Sequence, residues 1–74
     1  AAARAQKRQY EESIADCIDA IKIDPSYALA YNNRGYALER MGIQDDALVD
    51  YRVGCLLKSD LACQNFERLR PSIK

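Results

Sequence analysis

The stretch AYNNRGYAL, residues 30–38, decides the fold of this chain. Tyr31, Gly35 and Leu38 recur at i, i+4 and i+7, the spacing of one face of a helix. A glycine between two bulky side chains indicates that a second helix approaches closely there, because small residues against large ones let helix layers interdigitate. The stretch therefore predicts a helix over residues 27–41, which ends at a glycine suited to the turn after a helix.

Outside this stretch the sequence also predicts helices and no strands. Residues 1–24 contain no glycine or proline, and their apolar residues recur at helical spacing. Acidic residues at 45 and 46 favour the start of a further helix, where the helix dipole is positive. Short connections between helices of similar length predict antiparallel neighbours. The predicted helices cover residues 10–24, 27–41, 44–58 and 61–69, with residues 1–9 either continuing the first helix or forming a short one of their own.

The chain also repeats itself when it is shifted by 34 residues. The segment EESIAD at 11–16 aligns with DDALVD at 45–50, and the two agree in size and polarity along a helix length. Ala20 aligns with Gly54, and both are small, as expected where one helical hairpin packs on the next.

These residues resemble the tetratricopeptide repeat, a helix–turn–helix unit with this period. YNNRGYAL at 31–38 is similar to the first helix of the unit, and Gly42 to the glycine between its two helices. DAL at 46–48, with Tyr51, is similar to the second helix. Residues 10–25 resemble the second helix and the closing proline of a preceding copy.

The resemblance implies an all-α fold of antiparallel helix–turn–helix repeats, here a fragment of a tetratricopeptide-type α-solenoid. The 74 residues would form a single domain, since a chain this short buries only a small core. In this interpretation residues 1–26 end one repeat, 27–60 form a complete repeat, and 61–74 form an additional or capping helix. Because about three repeats are needed for stability, we expect the chain to be part of a longer solenoid or to have an end covered by another subunit.

The first helices of such repeats line a concave face, and the resemblance implies that this face binds a partner. Opposite its packing face, the helix over 27–41 mixes amides, an aromatic ring and a cation. Amides can satisfy the backbone of an extended peptide. We therefore predict a non-catalytic scaffold that binds a partner peptide or protein subunit, in the assembly or chaperoning of a larger complex; an ordinary solvated helix face is the alternative. The predicted partner-binding residues are Leu29, Asn32, Asn33, Tyr36 and Arg40.

Some tetratricopeptide domains hold the C-terminal carboxylate of chaperones with a clamp of asparagines, lysines and an arginine spread over three repeats. Asn33, followed by Arg34, matches the asparagine of the middle repeat. At the 34-residue period, the lysine and arginine positions of the next copy fall on Cys63 and Glu67, and a glutamate would repel a carboxylate. The resemblance therefore implies a co-chaperone-like interaction without a complete clamp in this chain.

Composition argues against several other classes of function. The chain has 11 basic residues, 11 acidic residues and no histidine, so it lacks the commonest general base and metal ligand. It has no phosphate-binding loop, nucleophile motif or metal-ligand spacing, and we expect no catalysis, no cofactor and no metal. Nucleic-acid and membrane partners are not favoured, because residues 10–65 carry ten acidic and five basic residues. The alternative is an RNA- or membrane-surface adaptor that acts through the basic ends, Arg4, Lys7, Arg8, Arg68 and Arg70.

The three cysteines, Cys17, Cys55 and Cys63, predict buried reduced thiols. Their number is odd and they lack C-x-x-C spacing, which argues against a disulfide framework and against a zinc site with four ligands. Free cysteines behave as small apolar residues in a core. We therefore expect an intracellular, reducing compartment.

Overall fold

The computed structural model describes residues 2–70, with the side chains from Gln6 onward. This part of the chain contains four helices and no strand, which confirms the all-α prediction. The helices are α1 (Ala2–Ile23), α2 (Ala28–Arg40), α3 (Gln44–Leu56) and α4 (Asp60–Leu69). Each helix packs on the next along the chain, and α2 also contacts α4. The last residues of the predicted capping segment, 71–74, lie outside the described residues.

The first helix is longer than the repeat pattern alone would give. The 34-residue register aligns Arg8 with Gly42, which follows α2 with a left-handed φ of +85°. Arginine has no preference for that backbone conformation, and residues 1–24 contain no other helix breaker. The helix therefore runs through Arg8, and residues 2–9 continue it rather than form a separate short helix.

The hairpin of α2 and α3 is held together at one close contact. A Cβ atom on Gly35 would lie 2.9 Å from two ring carbons of Tyr51 and 3.1 Å from the carbonyl oxygen of Ala47. Ala47 and Tyr51 are both 0% exposed. Arg34 donates two hydrogen bonds, each 2.8 Å long, to the carboxylate of Asp50 across the same hairpin. The predicted close approach of two helices at Gly35 is confirmed.

The fourth helix begins two residues earlier than the 34-residue register predicts, since α2 begins at Ala28 and α4 at Asp60. Ala62 is fully buried against Gly54, where an added Cβ would lie 2.8 Å from the Ala62 Cβ atom. The N-cap residues of α2 and α4, Tyr27 and Ser59, are likewise 32 positions apart instead of 34. The turn between α3 and α4, residues 57–59, is one residue shorter than the turn between α1 and α2, residues 24–27, and α3 ends one residue earlier than the register predicts.

The helix α4 carries the positions that the sequence comparison relates to the lysine and arginine of the carboxylate clamp. At the 34-residue period they are Cys63 and Glu67. Neither side chain is basic, so α4 supplies no cation at either position.

Contrary to the prediction from the sequence, the three cysteines are not all free thiols. Cys55 and Cys63 form a disulfide that ties the end of α3 to α4, so the prediction of reduced thiols is wrong for this pair. It is confirmed for Cys17, which is free and buried. The short turn after α3 brings the two paired Cα atoms within 4.5 Å, and an odd number of cysteines does not argue against a single pair joined by a turn. The expectation of a reducing compartment was based on three free thiols, and only Cys17 is free in the structure.

Candidate partner-binding face

The exposed side of α2 carries four of the five predicted partner-binding residues. Leu29 is 43% exposed and Tyr36 is 51% exposed, and Asn33 and Arg40 are exposed as well. Their spacing of i, i+4, i+7 and i+11 places them in one row along the helix. We call this row, Leu29, Asn33, Tyr36 and Arg40, the α2 stripe. Its exposure agrees with the sequence, while its role in binding stays a prediction.

The fifth predicted residue, Asn32, is not part of the stripe. It is 4% exposed, and its side-chain oxygen accepts a 2.8 Å hydrogen bond from the amide of Asn65 on α4. The predicted exposure of Asn32 is therefore wrong. The sequence of α2 alone does not reveal which edge of its outward side the last helix covers.

A network of polar side chains lies between α2 and α4, along the edge of the stripe that faces α4. Arg68 donates hydrogen bonds of 2.7 and 2.8 Å to the two carboxylate oxygens of Glu39. The Tyr51 hydroxyl donates a 2.8 Å bond to the same carboxylate. The bonds from Arg68 lower the pKa of Glu39, whereas burial, followed by the bond to Glu39, raises the pKa of Tyr51. These groups satisfy one another, so this edge presents few free hydrogen-bonding groups to a partner. No sequence signal linked Glu39 to Arg68, since they are far apart in the chain.

The basic ends of the chain differ in their surroundings. At the C-terminal end Arg68 is paired with Glu39, and an Arg70 nitrogen lies 3.3 Å from a Glu67 oxygen. These pairs reduce the positive charge that α4 presents to a phosphate group. At the other end Lys7 and Arg8 are exposed on α1, and the side chain of Arg4 lies outside the described ones.

A cavity of about 310 Å³ lies between α1 and α2, on the α1 side of the stripe. Burial raises the pKa of the Cys17 thiol in its wall. A raised pKa keeps the thiol protonated and therefore a poor nucleophile, so this cavity offers shape and hydrogen bonds rather than reactivity. Its lining residues are Ser13, Asp16, Cys17 and Ala20 of α1, with Tyr27, Ala30 and Asn33 on the α2 side.

A second cavity, also of about 310 Å³, lies at the opposite end of the stripe. Its lining includes Arg40 together with Lys7 and Tyr10 of α1. The neighbouring phenol of Tyr10 raises the pKa of Arg40, which keeps that side chain charged. One end of the stripe therefore lies near the acidic residue Asp16, and the other end lies near the basic residues Lys7 and Arg40.

Two further properties of the described residues bear on function, the grouping of possible metal ligands and the apolar length of the helices. Within residues 2–70, no three histidine, cysteine or acidic side chains converge as metal ligands. No helix in this part of the chain is long and apolar enough to cross a membrane.

Comparison with known proteins extends these observations. The sequence model of a family described as "TPR repeat" matches residues 2–42. The chain is 32% identical, over all 74 residues, to the small glutamine-rich tetratricopeptide repeat-containing protein 2 of Saccharomyces cerevisiae. It spans 21% of the length of that protein. No solved structure gives a significant match.

Proposed function

We propose that this chain, which belongs to the tetratricopeptide repeat family, binds an extended segment of a partner protein along the α2 stripe. The family consists of non-enzymatic protein-interaction repeats, so a general scaffold role follows from membership. The observation that supports the finer proposal is the row of Leu29, Asn33 and Tyr36, which the described helices leave exposed.

The stripe has dimensions that suit a short extended segment. From Leu29 to Arg40 the helix rises about 16 Å, which equals about five residues of extended chain. The Asn33 amide can donate to a carbonyl of the partner backbone and accept from an N–H group. Tyr36 offers a flat apolar wall with a polar tip at little conformational cost.

Charge gives the proposed segment a direction. Asp16 borders the Asn33 end of the stripe, while Lys7 and Arg40 border the other end. Complementary charges across an interface favour one orientation of the partner and suppress others. We place this binding in the assembly or chaperoning of a larger complex, where a module without catalytic groups acts by holding its partner.

Alanine substitutions at Tyr36 and Asn33 test the proposal. The probe is a random decapeptide library, from which the wild-type protein selects a binder whose Kd is then measured for each variant. Loss of a central aromatic anchor costs about 2 kcal/mol or more of binding free energy, and loss of an amide that pairs with a desolvated peptide group costs about 1–3 kcal/mol. The melting temperature should change little, because both residues are exposed.

Val49→Ala is the matched control, since Val49 is 59% exposed on α3 and outside the stripe. Equal affinities of Tyr36→Ala, Asn33→Ala and Val49→Ala would reject the proposal. The alternative, an RNA- or membrane-surface adaptor that acts through the basic ends, predicts that the stripe variants bind normally and that the basic-end variants bind weakly. It requires Lys7→Gln and Arg8→Gln to weaken binding to a single-stranded RNA or an anionic vesicle, with a steep dependence on salt.

A further inference from the structure

The disulfide between Cys55 and Cys63 joins α3 to α4 across the turn at residues 57–59. The two cysteines are eight positions apart in the chain, and both residues are half-buried rather than enclosed in the core. Partial exposure leaves the pair accessible to a thiolate from solution, and access is one of the conditions for thiol–disulfide exchange. The bond therefore lies where its formation and reduction can occur in the folded protein.

The turn that the disulfide closes has an unfavourable backbone conformation at Lys58. Its φ is +78°, in the left-handed region. The turn after α2 has a glycine in that region, Gly42 with a φ of +85°, and glycine adopts this conformation without the steric cost of a Cβ atom. The lysine thus opposes the conformation that the α3–α4 turn adopts, and the disulfide holds the turn in it.

The other links between α4 and α2 are side-chain contacts near the surface. The α4 helix has ten residues, a length that is marginal for a helix alone in water. It reaches α2 through the Asn65–Asn32 hydrogen bond and the Arg68–Glu39 ion pair. The Arg68 side chain is 52% exposed, and exposed ion pairs contribute little to stability. Loss of the disulfide should therefore loosen α4 without opening the α2–α3 hairpin.

We propose that Cys55 and Cys63 form a reversible thiol–disulfide switch that sets how firmly α4 covers one edge of α2. In the oxidised form α4 stays in place, Asn32 is 4% exposed and the Glu39 carboxylate is bonded to Arg68. In the reduced form α4 opens more often, and the side chains of Asn32 and Glu39 become accessible. The switch acts on the edge of α2 that faces α4, and it does not require the α2 stripe to bind a peptide.

The reductant is a dithiol, and the oxidant is a low-molecular-weight disulfide. A thiolate of the dithiol attacks one sulfur of the pair and forms a mixed disulfide, while the other sulfur leaves as a thiolate and takes up a proton. The second thiol of the reductant loses its proton and attacks the reductant's own sulfur in the mixed disulfide, which releases the remaining cysteine. Two electrons thus pass to the protein, and the reductant ends as a disulfide. Oxidised glutathione reverses the exchange and is itself converted to two thiols.

Hydrogen exchange measured by mass spectrometry tests the switch. The protein is treated with oxidised glutathione, and half of it is then reduced with dithiothreitol. Amides of residues 60–69 should exchange at least about tenfold faster after reduction, because a disulfide typically stabilises the structure that it joins by more than this factor. Amides at the centre of the α2–α3 contact should exchange at an unchanged rate. A second treatment with oxidised glutathione should restore slow exchange in α4.

Labelling of carboxylates with a carbodiimide and glycinamide measures the exposure of Glu39. This side chain is 18% exposed, and it should be labelled several times faster in the reduced protein. Glu67 is the internal control, since its side chain is already 64% exposed and should be labelled at the same rate in both forms.

The double variant Cys55→Ser, Cys63→Ser copies the reduced form without a reductant. Its α4 amides should exchange fast with and without dithiothreitol, and reduction of the wild-type protein gives the same comparison where the double variant folds poorly. Cys17→Ala is the matched control, because it removes the free, buried thiol and keeps the pair. Exchange in α4 of this control should still respond to dithiothreitol.

Four results would overturn the proposal. The first is equal exchange of residues 60–69 in the oxidised and reduced forms. The second is a pair that dithiothreitol reduces only after denaturation, which would indicate a permanent structural disulfide. The third is failure of the reduced pair to form again with oxidised glutathione. The fourth is an equal acceleration of exchange in all four helices, which would show that the bond stabilises the whole fold rather than α4.

Discussion

Asp50 on α3 and Asp16 on α1 occupy the same position of the repeat but differ in their surroundings. Asp50 is 4% exposed and shares two hydrogen bonds with Arg34. Asp16 is exposed at the rim of a cavity. The local sequences around the two residues, ESIAD and DALVD, are alike in pattern. Burial of the carboxylate therefore depends on the helix packed against it and on the arginine that this helix brings.

The contrast also shows why an ion pair occurs at one site. A carboxylate can be removed from water at moderate cost when a guanidinium group pairs with it in bidentate geometry. Arg34 supplies this geometry, since its guanidinium donates two 2.8 Å hydrogen bonds to the two carboxylate oxygens of Asp50. On α1, solvent hydrates Asp16 in place of a partner.

Truncating the two aspartates should give the largest difference. Asp50→Ala is expected to lower the free energy of unfolding by about 2–4 kcal/mol, because it leaves the part-buried Arg34 guanidinium without its partner. Asp16→Ala should change it by less than about 0.5 kcal/mol, as exposed substitutions usually do. Urea denaturation of both variants measures the difference. Similar losses for the two would show that the Arg34–Asp50 pair does not stabilise the hairpin.

Larger side chains at the buried α2–α3 contact and on the exposed side of α1 should differ in their effect on the free energy of unfolding. We expect this difference to be of intermediate size. Gly35→Leu is expected to cost about 1–3 kcal/mol, since even a Cβ would lie 2.9 Å from the ring of Tyr51. Ala47→Leu should act similarly from the other side of the contact, where Ala47 is 0% exposed. Ala15→Leu, on the exposed side of α1, is the control and should be nearly neutral. If Gly35→Leu melted at the same temperature as this control, the close helix contact would be disproved.

The smallest expected effect concerns the edge of α2 that faces α4. The contact with Arg68 lowers the pKa of Glu39, so the folded protein holds this proton less tightly than the unfolded chain does. The stabilisation is complete above the ordinary pKa of glutamate, and it is lost as the pH falls through the lowered value. We expect about 0.5–1 kcal/mol, because the Arg68 side chain is 52% exposed and its ion pair is screened by solvent.

Denaturation from pH 3 to 7 checks this expectation. The wild-type protein should lose its advantage over Glu39→Gln at the acidic end of the range. A constant difference between the two proteins would show that the Glu39 carboxylate does not contribute through its charge. Glu67→Gln is the control, because Glu67 belongs to a more exposed ion pair.

The helices and their main contact could be predicted from the sequence because their signals are local. Gly35 between two bulky residues marked the close approach, and the residues of the stripe follow from helical spacing. The burial of Asn32 could not be predicted, since it depends on where Asn65 is placed by α4. The same is true of the residue at which α4 begins, because a turn shorter by one residue leaves the pattern of each helix unchanged.

The sequence by itself determined that this chain is all-helical, that its helices repeat, and that Leu29, Asn33, Tyr36 and Arg40 face outward. Spacing along one helix carries that information, because residues three or four apart share a face. Only the tertiary structure decided that Asn32 is covered, that Cys55 and Cys63 are joined, and that Asp50 is paired while Asp16 is open. These outcomes depend on distances between residues of different helices, and such distances are set by the turns and by the packing of every helix at once.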